Sequence, residues 1–163
     1  MSRVRMILEN LWETAVVSTN DEVATLPLSF TQVYGNSKVY RSQTKDSIEL
    51  KANIAEESLL TGLALWRHNL TNLATYQVRL YSQDDQQGEL IYDSGELDAI
   101  QKISVNDWDW RVQKVTSSAF DGEPTRYSNL WLPEAKFAKS VLIIIKDPSN
   151  TDGFIQLTKV YLG

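Results

Sequence analysis

Short segments with the periodicity of β-strands recur along this chain. Residues 47–54 and 75–82 alternate between apolar and polar side chains, which is typical of strands with one face in the core. Residues 59–66 are almost continuously apolar, as in a strand that is buried on both faces. Residues 141–146 are dense in β-branched side chains, which predicts a central strand. The hydrophobic pattern therefore predicts a protein built mainly from β-sheet.

Turn signals separate these strands. A short strand at residues 90–92 is followed by the turn sequence Asp-Ser-Gly, and an Asp-Gly step at 152–153 leads into a last strand at 154–162, in a hairpin-like return. The apolar positions of that last strand change phase. A β-bulge near Thr158 and Lys159 would restore a single buried face.

Helical signals are weak and local. Residues 6–15 could form one or two helical turns and residues 53–59 a single turn, but neither segment has a sustained apolar stripe. Residues 117–128 form a long polar segment that predicts a loop. The length of 163 residues is typical of one domain. These features predict a single all-β sandwich or barrel.

The segment at residues 29–42 reads SFTQVYGNSKVYRS, with a Gly-Asn turn and then an aromatic-to-serine step at Tyr40, Arg41 and Ser42. The segments SIELKANI, LLTGLALWRHNL and ATYQVRLYSQD follow in that order, and DPSNTDGFIQLTKVYLG closes the chain. In this order the chain resembles the discoidin-like galactose-binding domains and related carbohydrate-binding modules. The resemblance implies a two-sheet antiparallel jelly-roll β-sandwich with minimal helix, whose final strand pairs beside the early ones.

A narrower resemblance covers nearly the whole chain. Its features are an N-terminal segment ending in NLW, a Leu-Pro step at 26–27, an Arg-Ser step at 41–42, a His-Asn-Leu step at 68–70 and an Asn-x-Asp-Gly turn before the last strand. Together they are similar to small tail structural proteins of tailed bacteriophages and prophages. This implies a virion protein of the tail tip or baseplate, made in the bacterial host cytoplasm. Other tail proteins would be its partners, and several copies would form a homo-oligomeric ring.

Under the tail hypothesis, residues 1–12 form an N-terminal arm and residues 13–163 the single β-sandwich domain. The arm would dock through its apolar side chains, which are Met6, Ile7, Leu8, Leu11 and Trp12. The alternative is a stand-alone carbohydrate-binding module without catalytic activity. The two functions are compatible, because a tail domain could also bind a glycan of the host surface.

Composition and charge exclude several other classes. The net charge of −5 disfavours a nucleic-acid binder, since phosphate affinity requires clustered Lys and Arg. The longest apolar run, at residues 141–145, is too short for membrane insertion, and the first ten residues do not read as a signal peptide. Cysteine is absent, which excludes disulfides and thiolate metal sites.

The residue inventory also argues against an enzyme. His68 is the one histidine, no phosphate-binding G-x-G occurs, and no G-x-S-x-G nucleophile elbow is present. No spacing places two carboxylates as a glycosidase would need them. We therefore expect no catalytic residues and no cofactor.

Aromatic and planar polar side chains are the candidates for sugar contacts, because rings pack on the CH faces of sugars and planar groups bind hydroxyls. The predicted ligand-binding residues are Tyr40, Arg41, Trp66, Arg67, His68, Asn69, Trp108 and Trp110. For His68 the alternative is a loop residue whose imidazole bonds a backbone carbonyl. For Trp108 and Trp110, which would share one face of a strand, the alternative is packing in the core. Asp107 and Asp109 are weak candidates for a structural Ca²⁺ site, with solvated carboxylates as the alternative.

Overall fold

The computed structural model describes residues 6–35, 37–100 and 127–163. Within them the chain forms nine strands and three short 3₁₀ helices, at Leu11–Glu13, Leu28–Gln32 and Asp84–Gln86. The strands are β1 (Val16–Thr19), β2 (Tyr40–Arg41), β3 (Ile48–Trp66), β4 (Thr75–Tyr81), β5 (Leu90–Asp93), β6 (Leu97–Asp98), β7 (Tyr127–Lys146), β8 (Gln156–Leu157) and β9 (Lys159–Leu162). The predicted all-β antiparallel class is confirmed.

The two longest strands of the described chain, β3 and β7, form its most extensive pairing. They pair antiparallel from Ile48 opposite Ile145 to Trp66 opposite Tyr127. The main sheet has the order β1-β3-β7-β4-β5, with β6 added on β4 and β9 added on β3, while β2 and β8 form a separate two-stranded sheet. The C-terminal half of β7 lies between β3 and β4, so the prediction that residues 141–146 form a central strand is confirmed.

The middle of the β3–β7 ladder contains two irregularities that compensate each other. β3 carries extra residues between Asn53 and Ser58, and β7 carries extra residues where β3 advances from Leu60 to Gly62. The prediction of a helical turn at residues 53–59 is therefore wrong, because this segment is the bulged middle of one continuous strand. The side chains of residues 55–57 are exposed at this bend, where no face of the strand has to be buried.

The core follows from the alternation of the strands. The inward-facing residues of the N-terminal half of β3 are fully or almost fully buried: Ile48, Leu50, Ala52 and Ile54. They meet Val141, Ile143 and Ile145 of β7 and Tyr76, Val78 and Leu80 of β4 in one hydrophobic cluster. Gly62 allows β3 and β7 to approach closely, since a Cβ there would lie 2.6 Å from the Trp131 ring.

The N-terminal segment is tied to the end of the chain. Asn10 caps the first 3₁₀ helix, donates from Nδ2 to the carbonyl of Val160 at 3.0 Å and accepts from the amide of Leu162 at 3.0 Å. Trp12 is completely buried, and its indole N–H donates to the Thr31 hydroxyl at 2.9 Å. The prediction that Trp12 docks a partner is therefore corrected, because its ring belongs to the core.

The other apolar residues predicted for the arm differ in their exposure. Leu11 packs against the core and Ile7 is half-buried, whereas Met6 and Leu8 are exposed. An assembly role for these four residues remains a prediction.

The closing segment changes partner at Thr158. Before it, β8 pairs with β2, and after it β9 pairs with β3, so the final strand does lie beside the early ones. Residues 155 and 157 are buried where the chain runs beside β2, and residues 160 and 162 are buried where it runs beside β3. The phase change in the apolar pattern is therefore a switch of pairing partner. The hairpin-like return predicted across the Asp-Gly step at 152–153 is not formed with residues 141–146, because β8 pairs with β2 and β9 pairs with β3.

Candidate functional site

An exposed pair of aromatic rings closes the β3–β7 ladder. Trp66 and Tyr127 are opposite each other in the last register pair, and their ring centroids lie 5.7 Å apart with an interplanar angle of 22°. Trp66 is 45% exposed and Tyr127 is 53% exposed. The pair therefore presents a stacked aromatic surface to solvent.

The backbone around Trp66 is held by the junction between β8 and β9. The amide of Thr158 donates to the Trp66 carbonyl at 3.2 Å, and its hydroxyl donates to the Arg67 carbonyl at 3.3 Å. Arg67 has a φ of 52°, in the left-handed region that few non-glycine residues occupy, and this turns the chain away from the ladder. The exposed side chain of Arg67 thus follows directly after the aromatic pair.

His68 lies beneath this surface instead of on it. The imidazole is 5% exposed, Nδ1 accepts a hydrogen bond from the amide of Leu70 at 3.3 Å, and Nε2 lies 2.9 Å from the Ser128 hydroxyl. Because Nδ1 accepts, the proton of the neutral ring belongs on Nε2, which donates to Ser128. Ser128 in turn donates to the carbonyl of Ala99. Burial lowers the pKa of His68 to about 4, so the ring is neutral at pH 7.

This environment corrects the prediction of His68 as a ligand contact. A side chain that is buried, and whose two ring nitrogens both have partners inside the protein, has no free group to offer a ligand. The alternative from the sequence, a loop residue whose imidazole bonds the backbone, fits better, because backbone hydrogen bonding at Tyr127 and at His68 itself raises the pKa of the ring.

The Asn69 side chain forms hydrogen bonds to the segment at residues 152–156. Its Nδ2 donates to Asp152 at 2.9 Å and to the carbonyl of Phe154 at 3.0 Å, and its Oδ1 accepts from the amide of Gln156 at 2.8 Å. Its side chain is therefore saturated by internal partners.

Arg41 and Tyr40 also have internal roles. The Arg41 guanidinium lies 4.0 Å from the centroid of the Phe154 ring and donates from Nη2 to Gln156 at 3.1 Å, while its buried Nε has no partner. Tyr40 is completely buried, and burial raises the pKa of its phenol to about 12. The prediction of Tyr40 as a ligand contact is corrected, because its ring belongs to the core.

Four further predicted residues lie outside the described residues: Trp108, Trp110, Asp107 and Asp109. Among the residues that the structure describes, no group of three or more His, Cys, Asp or Glu side chains could hold a metal ion. Over the same ranges, no helix is long and apolar enough to cross a membrane.

Tyr127 was missed by sequence reasoning. Residues 117–128 read as a polar loop, but Tyr127 begins the longest strand of the described chain. The alternation of Ser128, Leu130 and Leu132, with Ser128 and Leu132 buried and Leu130 partly buried, is the signal that would have extended this strand towards its start.

Comparison with known proteins identifies the fold through structure and not through sequence. No protein-family model and no curated protein matches the sequence. The chain is similar to chitosan-binding module 1 of a chitosanase/glucanase from Paenibacillus sp. IK-5, with a TM-score of 0.63 and 11% identity over 95% of this chain and 98% of that one. It is also similar to the family 32 carbohydrate-binding module of C. perfringens NanJ, with a TM-score of 0.61 and 10% identity over 94% of this chain and 96% of that one.

A lectin domain has the same architecture. The lectin domain of lectinolysin, solved with Lewis b antigen, gives a TM-score of 0.63 and 14% identity over 97% of this chain and 98% of that one. Likeness at such low identity establishes the fold and leaves the function to the site. The chain therefore has the antiparallel jelly-roll fold of the galactose-binding carbohydrate-binding modules.

Proposed function

We propose that this domain is a non-catalytic carbohydrate-binding module that contacts its ligand through Trp66 and Tyr127. The observation that carries the proposal is the exposed, stacked pair of rings at the end of the β3–β7 ladder. Such rings can pack on the apolar CH face of a sugar. The side chain of Arg67 follows directly and can donate hydrogen bonds to hydroxyls or to a carboxylate of the glycan.

Two other aromatic positions are weaker candidates. Phe154 has one ring face covered by the Arg41 guanidinium, at 4.0 Å from the centroid. Phe137 is exposed opposite Leu59 at the bend of the long strands, as a single ring beside an aliphatic side chain. Trp66 and Tyr127 instead leave about half of each side chain exposed and have a polar neighbour in Arg67, and ligand sites typically combine aromatic and polar groups in this way.

The similar structures support a binding role. Their descriptions include chitosan, galactose and Lewis b antigen as ligands of those proteins. A GH29 fucosidase from Ruminococcus gnavus also matches, but the match covers only 26% of that chain, so its catalytic activity is not carried over. None of these descriptions supports a phage tail role, and the tail hypothesis is therefore not part of the proposal.

A glycan array that includes galactose, fucose, Lewis b and chitosan oligosaccharides tests the proposal. The best binder is then titrated by calorimetry against wild type, Trp66→Ala and Tyr127→Ala. The matched control is Phe137→Ala, which removes an exposed ring from the other half of the same strand. We expect each site variant to weaken binding about tenfold or more, as loss of an aromatic anchor does, and the control to bind like wild type.

Two results would contradict the proposal. One is an array without a specific signal at millimolar sugar. The other is binding that survives both site substitutions unchanged, which would move the ligand to a different surface.

A further inference from the structure

Two buried polar side chains lie directly beside the proposed ligand site. His68 is two residues after Trp66 on one strand end, and Ser128 is one residue after Tyr127 on the other. Their side chains meet at 2.9 Å between Nε2 and the hydroxyl oxygen. We propose that this His68–Ser128 bond holds Trp66 and Tyr127 in the stacked arrangement that binds the glycan. The inference rests on the proposed function and assigns His68 and Ser128 as positioning residues.

The ends of the two strands need such a restraint. Register pairing between β3 and β7 ends at Trp66 and Tyr127, and the backbone of Arg67 turns away immediately. Backbone at the end of a ladder opens most easily, because no further register pair follows it. Thr158 holds the Trp66 side by two hydrogen bonds to the backbone. The Tyr127 side is fixed through Ser128, which bonds both His68 and the carbonyl of Ala99.

The hydrogen bonds of the pair run in one direction. The Leu70 amide donates to Nδ1 of His68, Nε2 donates to Ser128, and the Ser128 hydroxyl donates to the carbonyl of Ala99. Every donor has an acceptor, and the set is buried, so loss of one member leaves another polar group unpaired. The arrangement requires a neutral imidazole, because a proton on Nδ1 would face the Leu70 amide donor to donor.

The charged group that acts on His68 most directly is Asp147, in the loop after β7. Its carboxylate raises the pKa of the imidazole, whereas burial lowers that pKa more strongly. Asp147 is itself engaged by hydrogen bonds from Thr71, Ser149 and Asn150. Acid should therefore protonate Nδ1 and break the hydrogen bond from the Leu70 amide, because two donors then face each other. The displaced ring would no longer hold Ser128, so the pH profile becomes a readout of the positioning role.

Two substitutions of the histidine provide a matched comparison. His68→Gln places an amide N–H near the position of Nε2 and so retains a donor to Ser128. His68→Asn places an acceptor near Nδ1 and retains the Leu70 bond, but it cannot reach Ser128. Both variants are neutral and polar. Ser128→Ala removes the partner from the other strand.

The first measurement needs no sugar. NMR chemical shifts of the Tyr127 ring and the Trp66 indole report their mutual ring currents, and thermal unfolding confirms that each variant is folded. We expect these shifts to move in His68→Asn and Ser128→Ala and to stay near wild type in His68→Gln. Unchanged ring shifts in both His68→Asn and Ser128→Ala would overturn the positioning role.

The second measurement is the affinity for galactose and for Lewis b. We expect His68→Asn and Ser128→Ala to weaken binding about tenfold and His68→Gln to bind within about twofold of wild type. Wild-type binding should also be lost on acidification with a midpoint near pH 4, a step that His68→Gln lacks. Equal affinity and equal pH profiles in all variants would overturn the inference while the proposed function stands. If wild type binds neither these two sugars nor any other glycan of the array, the proposed function fails, and the ring shifts still decide whether His68 and Ser128 position the pair.

Discussion

Lys159 Nζ lies 2.7 Å from Oε1 of Glu13, and the lysine side chain is only 5% exposed. The same ammonium group donates to the carbonyl of Gln32 at 3.0 Å and lies 4.5 Å from the centre of the Tyr34 ring. This ion pair joins the first 3₁₀ helix to the last strand. Because Lys159 is buried, its charge depends on these partners for stabilisation.

Removing the carboxylate of Glu13 should destabilise the fold. Glu13→Gln is expected to lower the free energy of unfolding by about 2 kcal/mol, since a buried ammonium group loses its counter-charge. The hydrogen bond from Lys159 lowers the pKa of Glu13, so its contribution is present at neutral pH and is lost as the pH falls below 4.5 towards the lowered pKa. Urea unfolding at pH 7 and pH 3.5 measures both effects.

The control for this prediction is an exposed ion pair. Glu134 lies 3.3 Å from Lys136, with 79% of its side chain exposed, so Glu134→Gln should change the stability at pH 7 by less than about 0.5 kcal/mol. Equal losses in the two variants would mean that burial of Lys159 contributes nothing.

Local pattern predicted the strands well wherever one buried face decides the alternation. It failed at residues 53–59, where the alternation is interrupted and the sequence suggested a helical turn. The segment is part of a strand because β3 pairs with β7 both before and after it, and the paired residues of β7 lie about 80 positions away in sequence. Periodicity within one segment cannot contain this information.

The site shows the same limit. Trp66 and His68 are neighbours in sequence, yet one ring is exposed and the other is buried. The difference arises because the strand ends between them and the chain turns at Arg67 under the β8–β9 junction. Tyr40 has an aromatic side chain suited to sugar contacts, but the pairing of β2 with β8 places it in the core. Residue type indicated the chemistry, and tertiary packing decided which side chains are accessible.

Acid should destabilise the protein through His68. Burial lowers the pKa of the folded-state imidazole from 6.5 to about 4, so below pH 6.5 the unfolded chain binds a proton that the folded chain does not. The contribution is fully present above pH 6.5 and declines as the pH falls to about 4, by on the order of 3 kcal/mol in total. Urea unfolding at intervals between pH 7 and pH 4 measures the slope. In His68→Gln this part of the slope should disappear, and an identical slope in both proteins would contradict the assignment.

Gly62 should not tolerate a larger side chain. A Cβ at this position would lie 2.6 Å from the Trp131 ring and 2.8 Å from the carbonyl oxygen of Leu130, and the second atom is backbone that cannot rotate away. Gly62→Ala is therefore expected to cost about 1–3 kcal/mol through overpacking. Chemical denaturation of Gly62→Ala, Trp131→Leu and the double variant separates the two contacts. We expect Trp131→Leu to restore part of the stability lost in Gly62→Ala, because the clash with the Leu130 carbonyl remains. If Gly62→Ala alone were as stable as wild type, β3 and β7 would have to lie farther apart.

Trp12 should behave as a core residue in every measurement of stability. Its indole N–H donates to the Thr31 hydroxyl at 2.9 Å, and that hydroxyl donates onward to the carbonyl of Leu28 at 2.7 Å. Trp12→Phe removes the first bond and leaves a cavity, so we expect a loss of about 2–3 kcal/mol in the free energy of unfolding. A double-mutant cycle with Thr31→Val should give a coupling energy of about 1 kcal/mol, because each substitution removes the same bond. Zero coupling together with unchanged stability would indicate that the Trp12 ring does not belong to the core and would restore it as a candidate for docking.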